Sequence, residues 1–198
     1  MKAVMLSLRP QWCEKIFNGE KTIEVRKSRP SLDMPVKVYV YETKAQFVKS
    51  VRGACTTYGY GRGKVIGSFV CDRITCCQAY YGESGEKHLT NLFGCDVKNT
   101  CLTEHEMFDY IIGKDKKEGT GWLWHITEPK LFDKPKELSE FGTVCNRYEN
   151  DECDDCPYLQ VYVNSYPCDD CVDTWCGVDN IKPLTRPPQS WQYVEELQ

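Results

Sequence analysis

The stretch SLRPQWCEKIFNGEKTIEVRKSRP, Ser7–Pro30, decides how the rest of the chain is read. Just before and into it, Ala3–Leu8 is a short, mostly apolar run that suits a buried strand. Pro10 stands where a helix begins, because its fixed φ and missing N–H cost nothing at the first helical position. Trp12, Cys13, Ile16 and Phe17 recur at helical spacing, and Asn18-Gly19 supplies the stop. Lys21–Lys27 then alternates, Ile23 and Val25 to one side and Thr22, Glu24 and Arg26 to the other, which predicts a half-buried strand with a polar face. Lys21, Glu24, Arg26, Lys27 and Arg29 cluster at its end. Two readings of that cluster stay open. Glu24 and Arg26 share a strand face on which they orient a base, a phosphate or each other, or they form a surface ion pair on a solvated strand.

On either side of this unit the chain is rich in short strands. Val36–Tyr41, Lys64–Thr75, Gly121–Thr127 and Lys130–Phe132 read as strands, and Trp191–Glu195 as a closing one. Ser50–Gly63 is glycine-rich and reads as a loop, and residues 82–100 read as irregular. Thr103 and Glu106 form a capping-box pattern ahead of Met107, Phe108, Ile111 and Ile112, so a short amphipathic helix begins there. Many strands, few helices and frequent glycine turns predict an all-β or α+β barrel-like single domain over 1–198, interrupted late by a cysteine-rich insert at 145–180, with α+β preferred.

The 198 residues are 41% hydrophobic and 27% charged, the composition of a globular chain with a sizeable core. No run approaches the roughly 18–20 apolar residues of a membrane span. MKAVMLSLRP lacks a signal-peptide pattern, so a cytoplasmic location is expected. The net charge of −4 hides an asymmetry: residues 1–75 carry 14 Lys and Arg against 6 Asp and Glu, and the remainder 11 against 23. A basic half beside an acidic half points to a polyanion-facing surface with the acids held elsewhere, unless the two mix in three dimensions. Arg26 suits phosphate or base-edge recognition through its planar, permanently charged fork. Trp12, Trp124, Trp191, Tyr58 and Tyr60 are candidate stacking faces for unpaired bases, or core aromatics. His125 alternates away from Trp124 and Ile126 and reads as a hydrogen-bonded structural histidine.

Of 13 cysteines, six lie between Cys145 and Cys176, and the others sit among apolar neighbours as small hydrophobes. Cys153, Cys156, Cys168 and Cys171 form C-x2-C-x11-C-x2-C, a spacing that lets four thiolates converge tetrahedrally and predicts one structural zinc, with reactive or free thiols as the other reading. Cys145 and Cys176 flank the quartet as alternates. Such a site has no open coordination position for catalysis.

Ser7–Arg26 resembles the N-terminal motif of the ASCH-domain family, a branch of the PUA-like superfamily. GKVIGSFVCDRI (Gly63–Ile74), GWLWHI (Gly121–Ile126), LFDKPKELSEF (Leu131–Phe141) and RPPQSWQYVEEL (Arg186–Leu197) agree with it. Together they look like the cysteine-containing members of phages, prophages and Gram-positive bacteria. The resemblance implies a PUA-like β-barrel with flanking helices and a cleft that binds RNA or a nucleotide-like ligand. Arg9, Trp12, Lys21, Glu24, Arg26, Lys27, Gln189, Ser190 and Trp191 are then the ligand-binding candidates. One branch hydrolyses the acetyl amide of N4-acetylcytidine with a Lys, a Thr three positions later and a distant Glu. Here Lys21 matches, but Glu24 stands at the threonine position, Thr22 directly follows Lys21, and Asp72 is the nearest acid on the later strand. A binding module is therefore expected. A nucleoside amidohydrolase with Lys21 and Glu24 as catalytic candidates is the first alternative. The second is a phage or prophage interaction module that contacts a host protein through its acidic insert.

The protein is expected to carry about one zinc per chain, because four thiolates close one site. Elemental analysis after purification under reducing conditions checks this. Cys156→Ser is expected to lose the metal and keep the strand signal in circular dichroism.

Overall fold

The computed structural model describes residues 2–50, 56–90, 92, 97–114, 116–143 and 182–197. Cys145 and the zinc quartet with Cys176 lie outside the described residues. Among the described residues no group of three His, Cys, Asp or Glu is placed to hold a metal.

The chain opens as anticipated, with strand β1 (Lys2–Leu8), helix α1 (Pro10–Phe17) and strand β2 (Ile23–Arg26). β3 (Val36–Glu42), β4 (Gln46–Ser50), β5 (Thr56–Tyr60), β6 (Lys64–Tyr81) and β7 (Lys87–Thr90) follow. Next come helix α2 (Glu104–Ile112), β8 (Glu118–Lys136), the two-residue strands β9 (Gly142–Thr143) and β10 (Lys182–Pro183), and β11 (Trp191–Glu195). The main sheet runs β11-β1-β3-β6-β8-β2, with β7 on the outer end of β6. β1 and β3 are parallel and the other neighbours antiparallel.

Four sequence-based expectations change, the first being that residues 82–100, read as irregular, contain β7 paired on the end of β6. Gly121–Thr127 and Lys130–Phe132 are one strand, β8, because the β6–β8 ladder absorbs its irregularities as register shifts and Glu128 takes a positive φ of 50°. The loop expected at Ser50–Gly63 contains β5, which pairs with β4 as a hairpin separate from the main sheet. The barrel is not closed: β2 and β11 remain edges. A ladder needs backbones about 4.8 Å apart, and here side chains, Arg26 foremost, bridge the edges instead. Arg26 Nη1 donates to Ser190 Oγ at 3.2 Å and Nη2 to Ser7 O at 2.9 Å. Trp191 Nε1 donates to Ser28 Oγ at 2.9 Å, and the Ser31 N–H to the Tyr193 hydroxyl at 2.7 Å. Side chains tie the two edges together where backbone bonds do not.

β1 and β3 are apolar on both faces and are buried on both. Val4, Leu6 and Leu8 join Val36, Val38, Val40, Cys13 and Ile16 in one core cluster, while Ala3 and Met5 join Tyr39, Tyr41 and Phe141 in another. α2 starts at the predicted capping box, with Thr103 Oγ1 accepting from the Glu106 N–H. Its Met107, Phe108, Ile111 and Ile112 pack on Ile23 and Val25 of β2. α1 lies close on the sheet at Gly67, where a Cβ would meet Phe17 Cζ at 2.7 Å. Trp124 is fully buried and so cannot stack on a ligand. Burial pushes the Cys71 thiol up to about 12 and raises Cys13 as well, leaving both as unreactive small hydrophobes.

His125 is buried beside Thr75, with Nε2 3.2 Å from Oγ1. Desolvation, reinforced by the Arg73 charge and opposed by Asp72, holds its pKa below the ordinary 6.5. The unfolded chain therefore binds this proton first as pH falls, so stability is full above about pH 6.5 and declines towards the folded pKa. The melting temperature is expected to fall between pH 7.5 and 5, and His125→Gln to flatten that decline. Thermal melts across the range measure it.

Candidate functional site

The open seam holds a cleft of about 530 Å³. Its floor comes from β2, whose alternation sends Ile23 and Val25 to the core and Glu24 and Arg26 to the cleft. The polar face is not solvated. Lys21 is only 3% exposed and Glu24 and Arg26 each 7%, which removes the surface ion-pair reading. Glu24 sits between the two cations, with Oε2 3.2 Å from Lys21 Nζ and Oε1 3.0 Å from Arg26 Nε. Lys21 Nζ also donates to the Thr100 carbonyl at 2.6 Å and stands 5.2 Å above the Trp12 ring. Arg26 spends its two terminal nitrogens across the seam, while its Nε faces Glu24 without hydrogen-bond alignment.

The cluster has two cations for one carboxylate, a formal charge of +1 with little water around it. Taking charges out of water costs several kcal/mol per ion, which close pairing only partly offsets. The net cation is thus available to an anionic or electron-rich group entering the cleft.

Of the residues singled out in the sequence, Arg9, Trp12, Lys21, Glu24, Arg26 and Gln189 line the cleft together. Ser190 stands behind it as a partner of Arg26. Lys27 is exposed, 5.5 Å over the Tyr110 ring, so it sits at the rim. Trp191 packs on Trp124 and Tyr193 at 5.9 and 5.3 Å between ring centres, fixing the seam rather than lining the cleft. Thr22 is exposed and, like Asp72, outside the lining.

Sequence reasoning missed Tyr110, Leu102, Thr43, Gln11 and the Ser7 side of the wall. Tyr110 had a usable signal: it lies off the face that Met107, Phe108, Ile111 and Ile112 define on α2, an aromatic on the polar side of an amphipathic helix. Partial burial raises its phenol pKa. Ser7 Oγ and Thr43 Oγ1 are buried with no hydrogen-bond partner, two hydroxyls at the cleft wall that a ligand can satisfy.

Glu24→Gln strands two buried cations without a counter-charge and is expected to cost about 3–5 kcal/mol of stability. Thr22→Val, on the exposed neighbour, is expected to change it by less than about 0.5 kcal/mol. Urea unfolding of both variants makes the comparison.

The crystal structure of an ASCH protein from Zymomonas mobilis matches this chain with a TM-score of 0.51 at 15% identity, covering 98% of this chain and 88% of that one. A tyrosine-to-phenylalanine variant from Zymomonas mobilis matches with 0.51 at 16%, covering 99% and 92%. At such identities the likeness is one of fold. No curated protein matches the chain. The model of the ASCH domain matches residues 6–136, well over half of the sequence and the whole of the cleft floor. The chain belongs to the ASCH-domain family.

Proposed function

We propose that the protein is an RNA- or nucleotide-binding module that receives an unpaired base in the cleft. The observation that carries this is the buried Lys21–Glu24–Arg26 cluster, net cationic, at the floor of a cleft walled by Trp12 and Tyr110. Aromatic walls suit a base face and a guanidinium suits a base edge or phosphate, the two elements of single-strand recognition. RNA binding is general in ASCH domains and supports the same reading. Zinc on Cys153, Cys156, Cys168 and Cys171 is part of the proposal on spacing alone, as a structural staple of the acidic segment. No described helix is long and apolar enough to cross a membrane. A cytoplasmic site of action fits the ligand.

The amidohydrolase alternative fares less well on geometry. Lys21 is clamped between Glu24 and the Thr100 carbonyl, and Thr22 lies outside the cleft, so the pair needed to activate a hydroxyl is not assembled. The protein-interaction alternative rests on the acidic insert, outside the described residues.

Binding of single-stranded RNA is expected to weaken steeply with salt, with a slope of about −0.7 per neutralised phosphate. Arg26→Lys keeps the charge but removes the fork that also spans the seam, so it is expected to lower the melting temperature and, measured well below that melt, to cost about 1–3 kcal/mol of affinity. Salt-independent affinity would transfer the function to a protein partner. N4-acetylcytidine is expected to survive incubation with the protein. Release of cytidine that disappears in Lys21→Ala would make the enzyme reading the leading one.

A further inference from the structure

We infer that the occupant of the cleft is part of a polynucleotide strand, which continues outward over the root of the β4–β5 hairpin along Lys44, Tyr60 and Arg62. The inference rests on the nucleotide-binding reading and specifies its ligand as an oligomer rather than a free nucleotide.

The hairpin root and the cleft wall are one packed surface. Thr43, which lines the cleft, donates its N–H to the Leu8 carbonyl at 2.8 Å. The returning chain is pinned directly against it: the Gly61 N–H bonds the Ala45 carbonyl at 3.1 Å, and the Arg62 N–H bonds Glu42 Oε2 at 2.7 Å. Approach is so close that a Cβ on Gly61 would lie 1.8 Å from the Thr43 carbonyl oxygen and 2.7 Å from Pro10 Cγ. Only glycine lets the root seat on the first turn of α1.

What this surface presents is cationic and aromatic. Arg9, Lys44 and Arg62 are exposed, and no described carboxylate is ion-paired to any of them. Glu42 is buried and accepts from the Arg62 backbone, and Glu14, on the groove that Arg62 also borders, is not paired with it. Tyr60, two residues before Arg62 in the returning strand, is 71% exposed, an aromatic face left in water. Separate cations and a stacking face beyond the rim exceed what one nucleotide in the cleft engages. A strand with one phosphate per residue and a base to stack matches them.

The test compares a mixed-sequence single-stranded RNA of about 12 nucleotides with its DNA counterpart and with uridine and cytidine monophosphates, by anisotropy and competition. The oligomer is expected to bind at least tenfold more tightly than the monophosphates. The double variant Lys44→Ala/Arg62→Ala is expected to weaken oligomer binding and to shallow its salt slope by about 1.4, two phosphate contacts, with the monophosphates unaffected. Tyr60→Ala is expected to weaken the oligomer roughly 5- to 100-fold without changing the slope. Equal loss for oligomer and monophosphate, or none for the oligomer, overturns the inference. Monophosphates that bind as tightly as the oligomer would leave the nucleotide-binding reading standing and this one refuted. No binding to any probe refutes both. A preference for RNA over DNA identifies the natural strand, and equal binding supports a strand of either sugar.

Discussion

Arg26 holds together two things that would otherwise be separate, the open edge of the sheet and the floor of the cleft. Its guanidinium reaches the Ser7 carbonyl on β1 and Ser190 just ahead of β11, while its Nε faces the Glu24 carboxylate. Because β2 and β11 share no ladder, these side-chain bonds carry the connection that backbone hydrogen bonds supply elsewhere in the sheet. Glu24 in turn fixes Lys21, and Lys21 fixes the carbonyl of Thr100 and, through the Trp12 ring, the first turns of α1. The charges that cost solvation are the ones that set the shape of the site. An apolar replacement would close the seam as well and leave nothing for a ligand to meet.

Much of this arrangement could be read from residues 7–30. The start of α1 at Pro10, its stop at Asn18-Gly19 and the alternation of β2 are local properties, set by backbone preference and period, and the structure reproduces them. The shared face of Glu24 and Arg26 was legible for the same reason. Their burial was not, because the cover arrives from far along the chain: the Thr100 carbonyl, Leu102, Tyr110 and the Pro187–Gln189 segment. Strand length was misjudged at Glu128, whose positive φ marks an irregularity within β8 rather than an end. The glycine-rich stretch before Gly63 looked like a loop because glycine signals a turn in sequence, whereas at Gly61 it signals close contact. Barrel closure was expected from strand count, a property that says nothing about which edges meet.

The two helices serve the cleft differently. α1 is held by core packing through Cys13 and Ile16 and presents Trp12 and Gln11 from its first turn. α2 is capped at Thr103 and buries four apolar residues against β2, leaving Tyr110 free on its other side. Each wall is therefore anchored by a different core cluster, and the floor strand β2 contributes Ile23 and Val25 to the second. A change in either core that tilts its helix alters the width of the cleft without touching a residue that lines it.

The cleft also has an order of assembly imposed by synthesis. A ribosome delivers β1, α1 and β2 well ahead of β11, so the floor and the Trp12 wall exist as sequence long before Pro187, Gln189 and Ser190 emerge. Until then β1 lacks its antiparallel neighbour β11, and Arg26 lacks one of its two anchors across the seam. A strand made late, β11, thus completes one made early, β1. A nascent chain carries the basic half of the protein without a finished pocket, and the cleft gains its last wall only when the segment from Pro187 to Glu195 docks.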